Sequence, residues 1–243
     1  MKVVCIMQAR VGSTRLPRKV LKSICGKTIL EHDIDRLRLV KNIDEIIIAT
    51  TVEGRDIEIV REAERLGVKY FRGSEDDVLS RYYLAAKANN ADIVVRVTSD
   101  CPLLDSRVTD MTISYLLDNL DKYDYVSNTL EATFPRGLDV EAFTFSSLER
   151  AFNGAKLPRE REHVTPYIYT SSNNFRLGCF KNKVDYSNCR WTLDTKEDFE
   201  FISAIYDELY KINPNFNMED IIKLIEVKPE LAKINENIIQ KSI

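Results

Sequence analysis

The densest chemistry in this sequence lies near its start. Residues 1–30 carry seven basic side chains and no acidic one: Lys2, Arg10, Arg15, Arg18, Lys19, Lys22 and Lys27. Within that stretch, Ala9-Arg-Val-Gly-Ser-Thr-Arg-Leu-Pro-Arg-Lys19 sets Gly12 and Ser13 among four cations. Gly12 permits an unusual backbone turn, after which successive N–H groups can face one anion. Arg10, Arg15 and Lys19 add charge-assisted donors for phosphate oxygens. The run fits neither G-x-G-x-x-G nor the Walker pattern, which weighs against dinucleotide oxidoreductases and ordinary ATPases. On charge alone, a solvated basic loop stands beside the anion-binding reading.

Two carboxylates are candidates to complement these cations. Asp100 sits in Val97-Thr-Ser-Asp-Cys-Pro-Leu-Leu-Asp105. A carboxylate at a strand tip beside a triphosphate suits Mg²⁺; an Asp before Pro102 also suits a turn. Asp105 reads as a helix N-cap. Asp194 sits in Arg190-Trp-Thr-Leu-Asp-Thr-Lys-Glu-Asp198. Its spacing to Glu197 resembles a helix start, and a carboxylate there can still turn toward a metal. His163 lies between Arg159, Arg161 and Pro166, where an acceptor-side anion site is one reading and a structural histidine the other. His32 falls within a helix and packs locally or faces solvent. With two histidines and no Cys/His ligand spacing, zinc is disfavoured.

The elements that must position these residues alternate. Lys2–Gln8, Glu45–Thr51, Val68–Phe71 and Asp92–Thr98 read as apolar strands. Thr28–Val40, Asp56–Leu66, Asp77–Ala88 and Ser106–Leu120 read as helices. Gly67 is placed to end the second of these helices. Such alternation predicts βαβ units, a mostly parallel sheet and helices on both faces. Ligands bind beyond the C-terminal strand ends of such sheets. Gln8–Lys19, Gly73–Asp77 and Ser99–Asp105 all fall at such ends. Residues 128–170, rich in Pro, Gly and charge, predict an extended excursion from the sheet. Phe175–Phe180 and Arg190–Leu193 read as later strands and Thr195–Lys211 as a helix. Residues 211–243 read as a helical tail broken at Pro229. The chain is thus one domain, 1–243, with a core over about 1–210.

The 243 residues, 44% of them hydrophobic, suffice for one large core. The net charge of −3 gives no global attraction to nucleic acid or an anionic membrane. Five dispersed cysteines without a C-x-x-C pair predict reduced thiols in a cytoplasmic protein. Gln8 and Arg10 interrupt the first apolar run, so a signal peptide is not expected. No apolar stretch approaches about 18 residues, so no membrane span is expected.

Taken together, these phrases resemble the cytidylyltransferases that activate sialic acid and 3-deoxy-manno-octulosonate, and most of all their spore-coat polysaccharide branch. The similarity spans Met7–Leu21, Phe71–Tyr82, Val95–Leu103, Pro135–Glu141, Glu160–Pro166 and Arg190–Asp198, over roughly residues 1–210. It implies a Rossmann-like α/β domain of the nucleotide-diphospho-sugar transferase fold, commonly a homodimer. It implies Mg²⁺-dependent transfer of CMP from CTP to a sugar or keto-acid sugar, releasing pyrophosphate, in surface or spore-coat polysaccharide synthesis. Carried over residue by residue, Ala9, Arg10, Gly12, Ser13, Arg15 and Lys19 would hold the nucleotide, with Ser74 and Arg81 near the nucleoside. Asp100 and Asp194 would bind Mg²⁺, and Arg10, Arg15, Lys19 and Asp100 would carry the catalysis. Arg136, Glu141, Arg159, Arg161 and His163 would face the acceptor. Gln8 stands where the sialic-acid and octulosonate enzymes have proline, and the acceptor-side phrases differ too.

Two other classes compete. A nucleotide-diphosphate-sugar glycosyltransferase ordinarily carries Asp-x-Asp after a central strand, where this chain has Asp100 alone. A non-catalytic nucleotide-binding subunit would not need the full set Arg10, Arg15, Lys19, Asp100 and Asp194.

Overall fold

A computed structural model describes residues 1–170 and 173–239 of the chain. Its centre is a seven-stranded sheet. Chain order gives β1 (Val3–Gln8), β4 (Glu45–Thr51), β5 (Lys69–Gly73), β6 (Ile93–Thr98), β7 (Tyr125–Ser127), β8 (Glu141–Thr144) and β9 (Leu177–Cys179). A separate short hairpin holds β2 (Ser23–Ile24) and β3 (Lys27–Thr28). The helices are α1 (Ile29–Leu37), α2 (Ile57–Arg65), α3 (Val78–Ala88), α4 (Ser106–Leu117), α5 (Phe145–Gly154), α6 (Pro158–His163), α7 (Pro166–Tyr169), α8 (Lys196–Leu209) and α9 (Met218–Val227).

The strand order is β5-β4-β1-β6-β8-β7-β9. All pairings are parallel except those of β8 with β6 and β7. The chain winds outward from β1 through β4 to β5, then returns to place β6 on the other side of β1. Connections therefore leave β1 and β6 in opposite directions, and a crevice opens beyond their C-terminal ends.

Residue alternation explains why both faces are covered. Cys5 and Met7 of β1 pack in one apolar cluster with Leu30, Ile34, Ile59 and Ile113. Val4 and Ile6 point to the other, with Leu79, Tyr82, Phe143 and Leu148. Period-two alternation within an all-apolar strand is what a sheet clothed on both faces requires. A third cluster gathers Trp191, Leu193, Phe201, Tyr206 and Phe216 beside the sheet. Helix starts follow local chemistry: Thr28, Asp77, Asp105 and Thr195 each cap the next helix through a side-chain oxygen. Gly67 takes φ +64° just past α2.

Three expectations change. The segment 128–170 does not stand off the sheet throughout. It supplies β8, paired between β6 and β7, and the helices α5, α6 and α7. Only the stretch before β8 leaves the sheet; there Thr133 meets Asn182 and Tyr186. Arg190–Leu193 is not a strand but makes one parallel bridge, between Arg136 and Arg190. The chain then turns away, so that Leu193 N–H donates to the Asp100 carbonyl at 2.8 Å. The tail is helical only over α9, which ends before Pro229, and a 3₁₀ turn follows at Ala232–Ile234. Residues 240–243 of the expected tail lie outside the described residues.

Candidate functional site

A cavity of about 900 Å³ lies at the C-terminal ends of β1 and β6. One wall is the basic loop: Ala9, Arg10, Gly12, Ser13, Arg15 and Lys19 all line it. The loop has a fixed shape. Ser13 N–H and Arg18 N–H both donate to the Val11 carbonyl, and Val11 N–H donates to Asp56 Oδ1 at 2.7 Å. Asp56 is fully buried and also accepts from Thr51 at the end of β4. A buried carboxylate with both oxygens engaged is a stiff anchor. Arg10 and Arg55 both pair with Glu75 at the rim.

Lys19 occupies the floor. Its ammonium donates to Asp100 Oδ2 at 2.7 Å, to the Leu193 carbonyl at 2.8 Å and to Asp194 Oδ1 at 2.9 Å. All three of its protons are used. Burial works against this cation, but Asp100 and Asp194 outweigh it and raise the Lys19 pKa. Reciprocally, burial disfavours the two carboxylates, yet Lys19 holds both below the usual range. Arg15 adds a second cation to Asp194, at 3.0 Å.

Asp194 is aimed by what lies behind it. Arg190 donates to Asp194 Oδ2 at 3.2 Å and grips Asp198 with a fork of two 2.9 Å bonds. Asp198 in turn accepts the backbone N–H groups of Asp194 and Thr195, closing the capping box of α8. The Asp194-x-x-Glu197 signature thus operates one residue later, through Asp198.

The opposite wall comes from α3 and α6. Arg81, Arg161 and His163 line the cavity. Arg81 is 2% exposed, and its Nε and Nη1 meet no protein partner. Burial lowers its pKa. A buried guanidinium with free N–H groups at a cavity wall is a site prepared for an acceptor-bearing ligand. Arg161 is held by Asp77 and by the Phe152 carbonyl. His163 is half-buried, and burial pushes its pKa down.

Four residues expected at the site stand elsewhere. Ser74 does not line the cavity; its hydroxyl accepts the Asp77 N–H ahead of α3. Arg159 is exposed on α6 and does not line the cavity, although Pro158, Arg161 and His163 of the same helix do. Arg136 pairs with Asp139 and lines a separate cavity of about 290 Å³ with Asn188 and Arg190. Glu141 is buried on β8, consumed by Arg96 and by a 2.5 Å bond from Tyr125. Strand pairing brings it opposite Arg96, beneath the cavity rather than in it. Conversely, the supporting set Asp56, Glu75, Arg190 and Asp198 carried no assigned role from sequence. Asp198 alone left a signal, as a second acid three residues after Thr195.

The donor set can be tested against a divalent cation. Asp100 and Asp194 already share one cationic centre, the Lys19 ammonium. Among the described residues no group of three or more His, Cys, Asp or Glu could hold a metal. A cation here would rest on two carboxylates and complete its shell from phosphate and water, which is how Mg²⁺ is ordinarily bound beside nucleotides. The two residues fit that pattern.

Comparison with known proteins agrees with this geometry. The family model described as cytidylyltransferase matches residues 4–237. An uncharacterized protein of Methanocaldococcus jannaschii is 41% identical, over 100% of this chain and 98% of its own. The spore coat polysaccharide biosynthesis protein SpsF of Bacillus subtilis is 30% identical, over 96% of this chain and 98% of its own. A solved structure of a cytidylyltransferase from Leptospira borgpetersenii is 37% identical, with a TM-score of 0.92 and full coverage of both chains.

Proposed function

Since this chain belongs to the cytidylyltransferase family, we propose that it transfers CMP from CTP to a hydroxyl of a sugar or keto-acid sugar, with Mg²⁺ as cofactor. The observation that carries the reading is Lys19, held between Asp100 and Asp194 on the floor of the strand-end cavity.

In this reading the loop N–H groups and Arg10, Arg15 and Lys19 receive the triphosphate. Arg81 offers its unpaired N–H groups to the nucleoside end. The acceptor enters between the phosphates and the wall of Arg161 and His163. Its hydroxyl oxygen forms a bond to the α-phosphorus, the bond to the bridging oxygen breaks, and pyrophosphate leaves with that electron pair. The hydroxyl proton passes to solvent. The loop cations stabilise charge that grows on the phosphoryl oxygens, acting from positions set before the reaction. Asp100 and Asp194 would hold Mg²⁺, which supplies Lewis-acid polarisation and charge neutralisation when bound.

SpsF's name supports a place in surface-polysaccharide synthesis. The cysteines of the described chain are all free thiols, which supports a reducing, cytoplasmic setting. Among the described residues no helix is long and apolar enough to cross a membrane. The homodimer implied by the resemblance belongs to the same reading, and light scattering tests it.

The deciding experiment screens the four nucleoside triphosphates against keto-acid sugars and sugar phosphates, reading pyrophosphate release. CTP-dependent release that vanishes in Asp100→Ala, with the circular dichroism spectrum unchanged, supports the reading. Release with another nucleotide alone, or full activity in Asp100→Ala, overturns it.

A further inference from the structure

The Arg190–Asp198 ion pair that orients Asp194 is closed by a residue from the far end of the described chain. Asn235 is 5% exposed and lies 37 positions beyond Asp198. Its amide nitrogen donates to Asp198 Oδ1 at 3.0 Å and to the Arg190 carbonyl at 3.0 Å. Both partners are acceptors, so the side-chain orientation is dictated: the NH₂ must face the pair. The segment that delivers it is anchored. Leu231 and Ile234 pack on the third apolar cluster, and the 3₁₀ turn Ala232–Ile234 lies against α8.

The consequence follows bond by bond. Asp198 Oδ2 holds the backbone of Asp194 and Thr195, while Arg190 Nη2 touches the Asp194 carboxylate. Asn235 fixes both members of that pair at once, one by its carboxylate and the other by its main chain. Removing the amide takes one bond from Asp198 Oδ1, which keeps the Arg190 Nε bond, and one from the Arg190 carbonyl. The fork keeps its two bonds to Asp198 but loses the contact that braces it from behind, so the Arg190 side of Asp194 is held less firmly while Lys19 and Arg15 still grip its carboxylate.

We propose that Asn235 is a positioning residue for Asp194, and that the segment after α9 acts as a strap holding the second carboxylate at the geometry the divalent cation requires. This rests on the nucleotidyl-transfer reading above. Partners behind a ligand are tuned almost as closely as the ligand, and losing one typically weakens metal affinity or activity by about 10–100-fold.

The test compares the full chain with Asn235→Ala and the milder Asn235→Ser. Binding of Mn²⁺ in the presence of CTP is measured by electron paramagnetic resonance, alongside melting temperature and the kcat and KM for CTP. The expected result is a Kd for Mn²⁺ raised about ten-fold in Asn235→Ala, less in Asn235→Ser, with kcat recovering as Mn²⁺ is increased. If Asn235→Ala does not fold, Asn235→Ser carries the measurement. Wild-type Mn²⁺ affinity in the folded variants, with or without a lower melting temperature, overturns the strap and leaves the nucleotidyl reading intact. Failure of the wild-type chain to bind Mn²⁺ with CTP overturns the metal assignment and the strap together.

Discussion

Nζ of Lys19 lies 2.7 Å from Oδ2 of Asp100, a residue 81 positions away in the chain. The same ammonium reaches Asp194, 175 positions away, at 2.9 Å. One cation thus holds two carboxylates close together and lowers the pKa of both. That arrangement makes Lys19 the residue whose loss is felt twice.

Lys19→Met is expected to lower CTP-dependent pyrophosphate release by two orders of magnitude or more, about the effect of deleting one preorganised charge-stabilising donor. Without the ammonium, the adjacent carboxylates also repel each other, and the pKa of Asp100 rises. Pyrophosphate assay and circular dichroism check this together. Near-normal turnover in a folded Lys19→Met chain contradicts the role.

Arg81 should show the opposite balance between stability and binding. Its buried Nε and Nη1 have no protein partner, which opposes folding. Arg81→Met keeps the apolar stem and removes the charge. The melting temperature is expected to hold or rise, while the Kd for CTP increases by about ten-fold or more, the value of one charge-assisted contact. Calorimetric titration and a thermal scan measure both; a lower melting temperature with unchanged CTP affinity refutes it.

Gly137 marks where two functional phrases touch. It adopts φ +108°, and a Cβ there would stand 2.7 Å from the Trp191 carbonyl carbon. Backbone on that side cannot give way, because Trp191 N–H donates to the Arg136 carbonyl at 2.7 Å and its ring is buried. Gly137→Ala is expected to cost about 1–3 kcal/mol and to displace the Arg190–Asp194 segment. Urea unfolding should show the loss, and the KM for CTP should rise with it.

Acid should unlock the same segment. Burial disfavours the Asp198 carboxylate, but the Arg190 fork and the Asn235 amide outweigh burial and hold its pKa below the ordinary value. The folded pKa is therefore lower than the unfolded one, near 3.9. This contribution is complete above that pH and is lost as the pH falls through the folded value. The urea midpoint should decline below about pH 4, and Asp198→Asn should flatten that decline while lowering stability at pH 7. An identical acid profile in both chains shows that other carboxylates dominate it.

Much of this molecule is written locally. Apolar β-branched runs such as Glu45–Thr51 specify strands, and the polar residues after β1 and β6 fall at strand ends wherever such units wind into a parallel sheet. The basic loop, Asp100 and the Asp105 cap of α4 could be read because each depends on neighbours within a few residues, and the helix-start signature at Asp194 stands one residue before the cap of α8. Tertiary structure decided which charges are available for chemistry. Arg81 and Glu141 both sit in motif-like phrases, yet packing leaves Arg81 without a partner at the cavity wall and surrounds Glu141 with Arg96 and Tyr125. Arg136 and Arg159 are equally basic in sequence, yet Arg136 lies beside Arg190 in a separate cavity and Arg159 is exposed. The side chain's type states what it can bind; only the crossing of distant segments determines what remains for it to bind. Lys19 between Asp100 and Asp194, and Asn235 behind them, are set by that crossing.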